Sequence, residues 1–199
     1  IQNKAIPGFE PETVPEGFPF SILVAPAVTG LGLLDAVPDA NILALADPSD
    51  ANQDGISGRP HYNIPPEFTK IRNNSVPQGN NYIFRFGKKA GSYDLLHQSV
   101  SAYNQDIGIT SLYDPIDPFS GLEEDLEIST QTLNDVVFYL KTLKAPIPRN
   151  QTDPDVIAGK ELFESVQCAV CHTPTLTTGF SPIESLSLDR KSTRLNSSH

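Results

Sequence analysis

Apolar residues recur at helical spacing in several parts of the chain. Leu133, Val136, Val137, Leu140 and Leu143 fall at i, i+3, i+4, i+7 and i+10. That stripe predicts a core-facing helix, capped by Ser129 or Thr130 and running to Leu143 or Lys144. Lys141 and Lys144 suit its C-terminus, and Pro146 and Pro148 end it. Leu95, Leu96, Val100 and Tyr103 share one face of a second predicted helix, Ser92 to Gln105, with Ser92 as its N-cap. Asp153-Pro154 opens a third, Asp as N-cap and Pro at the first position. Two short helices are expected around 30–36 and 38–46, where Pro38 suits a first turn and Asp47-Pro48 is a stop. The apolar run from Phe18 to Leu34, interrupted by Pro26, Gly30 and Gly32, reads as buried core rather than a membrane span.

The intervening segments carry turn chemistry. Residues 1–20 are Pro-rich, acidic and extended, 58–91 form a long loop with one strand expected at Tyr82–Phe86, and 106–126 lack periodicity. With 18 prolines and 13 glycines, much of the chain is expected to be ordered loop. A length of 199 residues allows one core, or one large and one small domain. No internal repeat or secretory signal is visible. The chain starts at Ile1 and contains no Met, which points to a mature or truncated product. A formal charge of −10 argues against nucleic acid and anionic membranes as partners and is compatible with a basic redox protein.

The chemistry centres on Cys168-Ala169-Val170-Cys171-His172, which holds both cysteines of the chain. Haem attachment, a thioredoxin-like redox pair and half of a zinc site all use such spacing. A zinc site wants four ligands, and no second cysteine pair exists. A redox pair wants a βαβ context that the flanks do not supply. The favoured reading is covalent c-type haem, with Cys168 and Cys171 as thioethers and His172 as proximal iron ligand.

Asp50, Asn52 and Asp54, closed by Gly55, resemble the first half of an EF-hand and are candidate calcium ligands. His61 stands where the twelfth-position glutamate would fall, so a solvated Asx turn competes. Arg85 or Lys89 is a candidate partner for a haem propionate, against a solvated strand end. Without Met, His61 and His97 are the candidates within the chain for a sixth haem ligand, although His97 also reads as a structural residue. Asp189 to His199 is polar, aperiodic and similar to a translated sequencing adapter, so 189–199 is expected to be non-native.

Several motifs occur together in order. Gly159-Lys160-x-Leu162-Phe163 ahead of the cysteine motif resembles the opening helix of cytochrome c domains, where the glycine allows a close helix crossing. Ala25-Pro26, residues 30–34, Ala46-Asp47-Pro48, residues 54–59, Arg85-Phe86-Gly87 with Lys89-Ala90, residues 106–111 and residues 168–179 complete the pattern. Over nearly all of 1–188 the chain resembles the bacterial di-haem oxidoreductase family, peroxidase-like proteins also labelled thiol oxidoreductases. The resemblance implies a periplasmic relative of di-haem cytochrome c peroxidases, in which one haem receives electrons from a redox partner and an open-sided haem reduces hydrogen peroxide. The family's first haem motif and its later histidines have no counterpart here, and Lys88 stands where relatives often have Trp. The thiol label gains no support once both cysteines are committed to haem.

The expected fold is mainly α. Residues 1–149 are read as a loop-rich inter-haem region and 150–188 as the start of a cytochrome c-like haem domain. The expected cofactor is covalent haem c, with calcium as a candidate at Asp50, Asn52 and Asp54. The chain is expected to be an interior fragment, inactive by itself, of a peroxidase-like oxidoreductase. The rival reading is an electron-transfer cytochrome c with six-coordinate iron.

Overall fold

The computed structural model describes residues 15–21, 24–117, 120–122 and 125–187. The expected lead-in before residue 15 and the adapter-like tail lie outside that range. Its helices are α1 (Leu31–Asp35), α2 (Asp39–Leu43), α3 (Leu95–Ser101), α4 (Thr130–Thr142), α5 (Pro154–Ser165) and α6 (Cys168–Cys171). One antiparallel hairpin, β1 (Tyr62–Asn63) with β2 (Tyr82–Ile83), pairs Tyr62 with Ile83 and Asn63 with Tyr82. The described chain is thus mainly helical.

Helix α4 is the centre of the packing, with α1 and α3 both against it. The Ser129 side chain accepts from Thr132 N–H at 3.1 Å, satisfying an amide that the first turn leaves open. Leu133 of the apolar stripe is wholly buried, and Val136, Val137, Leu140 and Leu143 are half-buried. Gly32 lets α1 cross closely: a Cβ there would meet the Lys141 carbonyl oxygen at 2.0 Å. The Gly30 N–H donates to Leu143 O at 2.9 Å, locking the start of α1 to the end of α4.

The interior also holds a charge cluster. Asp39 is wholly buried and ion-paired with Arg85. Arg85 also donates to the carbonyls of Leu34 and Val37, at 3.0 and 2.6 Å. Arg72 lies 3.9 Å from both Asp35 and Asp39, stacks on the buried Tyr93 ring and donates to Tyr93 O and Ile83 O. Lys141 of α4 reaches Asp35 at 2.9 Å. Helices α1 and α2, strand β2 and helix α4 are therefore joined through mutually paired buried ions, although Asp35 Oδ1, Arg72 Nε and Arg85 Nε make no hydrogen bond among the described residues.

Three expectations need correction. Phe18, Phe20 and Val24 are exposed, so burial in the apolar run starts only near Gly30. Ile22 and Leu23 lie outside the described residues. Ser92 does not cap α3, because its backbone exchanges hydrogen bonds with Phe86 in an isolated bridge. Asp94 caps instead, its side chain accepting from His97 N–H at 2.8 Å. Beyond Ser101 the helix widens into a π-helical turn over Ala102–Asp106. The strand is shorter than expected, since beyond β2 Phe84 bonds to His61 O and Phe86 turns to Ser92.

Candidate functional site

Helix α5 forms where Asp153-Pro154 predicts it, with the Asp153 side chain accepting from Asp155 N–H at 2.9 Å. It ends at Ser165, and Gln167 takes a left-handed conformation, φ 65°, before α6 begins. That reversal separates the haem-motif turn from α5. In α6, Cys168 and Cys171 are three residues apart and so lie on one side of a helical turn. His172 N–H donates to Cys168 O at 2.9 Å, closing the turn. Cys168 is half-buried, Cys171 is exposed, and neither is in a disulfide.

The His172 imidazole meets the Phe163 ring edge-on, with centroids 5.9 Å apart. Both rings line an open cavity of about 1410 Å³, whose apolar walls include Leu33, Leu143, Ile147 and Leu186. This exceeds the roughly 300–1,000 Å³ usual for small-molecule sites. No residue of α5 is buried, and Ile157, Leu162 and Phe163 remain exposed. Two accessible thiols on one turn, an adjacent imidazole and a large apolar hollow suit a planar macrocycle carrying vinyl groups and iron. The residues present fit haem. Among the described residues no three or more of His, Cys, Asp and Glu are grouped to hold a metal ion, and the sheet is a hairpin rather than a βαβ unit.

The cavity walls come from segments far apart in sequence. After the motif the chain returns to α1 and α2: Gly179 N–H donates to Ala36 O at 2.7 Å and Asn41 to Thr177 O at 3.1 Å. Leu176, Thr178 and Ser181 are buried there. A Cβ on Gly159 would meet nothing within 4 Å among the described residues, so no helix crosses closely at this glycine.

The other candidates lie elsewhere. Arg85 is not a cavity residue; its side chain is 3% exposed and committed to Asp39, which corrects its assignment to a propionate. Burial, reinforced by Arg72 and opposed by Asp39, lowers its pKa to about 10, leaving it charged at neutral pH. Lys89 does not line the cavity either.

His61 and His97 are likewise absent from the cavity wall. His61 Nδ1–H donates to Ala90 O at 2.9 Å. His97 Nδ1 accepts from Tyr93 N–H at 3.2 Å, and its ring lies edge-on to Phe68 and Phe84. Burial lowers the His97 pKa. These contacts make His97 part of an aromatic cluster.

At the calcium-like loop, Asp50 accepts from Gly55 N–H, Asn52 from Asp54 N–H and Asp54 from Ile56 N–H. Asn52 Nδ2 also donates to Asp54 at 3.0 Å. The alternating oxygens thus serve the loop's own amides, Asn52 and Asp54 through Asx turns and Asp50 across five residues.

A family model described as "Di-haem oxidoreductase, putative peroxidase" matches residues 22–188. No curated protein and no solved structure matches the chain. The match spans both the buried Asp39–Arg85 framework and the cysteine–histidine turn, and on that extent the chain belongs to the di-haem oxidoreductase family.

Proposed function

We propose that this chain carries one covalently attached c-type haem and forms part of a peroxidase-like oxidoreductase. The observation that carries the reading is His172 on the wall of an open cavity, with Cys168 and Cys171 sharing one side of the helical turn that leads into it. Cys168 and Cys171 would hold the group through thioethers, each S–H adding across one vinyl C=C with no atom lost, and His172 would ligate its iron. The bound haem supplies one-electron chemistry for reducing a small oxidant such as hydrogen peroxide.

The protein's part is to hold and surround that group. The α6 turn presents both sulfurs on one side, and Phe163 packs edge-on against the His172 ring, limiting its orientation. Leu33, Leu143, Ile147 and Leu186 would offer the group an apolar face beside His172. His61 and His97 stand away from the wall, which supports an open sixth position over bis-histidine ligation within this chain. The family description names two haems, and this sequence holds one cysteine–histidine motif, Cys168–His172, so the proposal concerns one of them. The proposed setting is periplasmic, with an electron-donor protein as partner and calcium outside the proposed chemistry. No described helix is long and apolar enough to cross a membrane.

Expression with c-type maturation machinery, followed by pyridine haemochrome and ferric spectra, tests the reading. A covalent c-type signal with a high-spin ferric form is expected, and Cys168→Ala with Cys171→Ala abolishes the covalent signal. A low-spin ferric form lost in His61→Ala or His97→Ala would instead establish a six-coordinate electron carrier. Free thiols without haem would overturn both.

A further inference from the structure

We propose that Lys144 and Lys160 bind the two haem propionates, an assignment that rests on the haem reading above. A haem is an apolar disc with two carboxylates on one edge. Burying its disc brings those carboxylates against protein, where an unpartnered ion is costly. The cavity beside His172 has walls for the disc. Lys144, just beyond α4, and Lys160, on α5, line it from separate segments.

The two ammoniums differ from the other cations nearby. Lys141, one turn before Lys144, is engaged by Asp35 at 2.9 Å. Arg85 is engaged by Asp39, and Arg72 lies within 3.9 Å of Asp35 and Asp39. Lys144 and Lys160 form no ion pair with a carboxylate among the described residues. Apart from His172, which is reserved for iron, they are the cavity's cationic side chains. Glu161 and Glu164 also line it, so a propionate without an ammonium partner would meet like charge. Charge-assisted pairing with long, flexible lysines lets each carboxylate be met from the rim while the disc stays among apolar groups.

The test uses the haem-loaded chain, with covalent loading read by pyridine haemochrome and the midpoint potential followed against pH. Lys144→Gln and Lys160→Gln keep covalent loading but lower the midpoint potential, because an ammonium favours the less positive ferrous state. Each also moves the propionate titration to higher pH, an effect that loss of packing alone does not produce. The double variant shifts further, and Arg at either position restores the wild-type profile. Lys89→Gln leaves both readouts unchanged. Wild-type potential and propionate titration in the loaded double Gln variant would overturn the assignment while leaving the haem reading intact. Absence of covalent haem in the wild type would overturn both.

Discussion

Asp39 and Arg85 form an ion pair with both side chains withdrawn from solvent, joining the start of α2 to the segment after β2. Asp39 also accepts from Val76 N–H at 3.0 Å, so one carboxylate orders three distant stretches. Arg85→Met would leave that carboxylate without its closest cation. The expected loss is about 3–5 kcal/mol of unfolding free energy, read from urea denaturation. An unchanged midpoint would mean that Arg72 alone neutralises Asp39.

The close passage of α1 over α4 gives a second prediction. In Gly32→Ala the new methyl would fall 2.0 Å from a backbone oxygen, which cannot rotate aside as a side chain can. Helix α1 must lift, and overpacking of this kind costs about 1–3 kcal/mol. Thermal unfolding of the variant checks it: an unshifted melting temperature would show that α1 is not held in place.

His97 supplies a pH dependence of defined sign. Burial lowers its pKa from the ordinary value of 6.5, so the folded state binds fewer protons than the unfolded state as pH falls. Its neutral form is accommodated without penalty above that value. Stability is lost as pH drops through about 6.5 and below, where the unfolded imidazole protonates first. Melting temperatures from pH 8 to 5 should therefore fall more steeply in the wild type than in His97→Gln. Equal slopes would remove His97 from the titration.

Local chemistry was legible wherever a few neighbouring residues decide the outcome. Asp153-Pro154 and Ser129 mark the helix starts because a cap needs only one side-chain oxygen and an open amide two or three residues ahead. The stripe from Leu133 to Leu143 announced α4 because side-chain direction follows from helical pitch alone. The Cys168–Cys171 spacing put both thiols on one side of a turn for the same reason, and α6 forms that turn. Ser92 and Asp94 are both good caps, and the choice between them fell to the Phe86 bridge, a contact that spacing within the helix does not encode.

The tertiary structure decided which groups are free to act. Arg85, Lys89, Lys144 and Lys160 are equivalent in a sequence as cations near apolar residues. Folding joins Arg85 to Asp39, leaves Lys89 away from the cavity, and brings Lys144 and Lys160 to one hollow with His172. That hollow is assembled from α1, the end of α4, α5 and the returning segment. A sequence by itself determines what each residue can do, through its charge, shape and local backbone preference. Which partner it meets is a property of segments a hundred residues apart, and is set only when the chain packs.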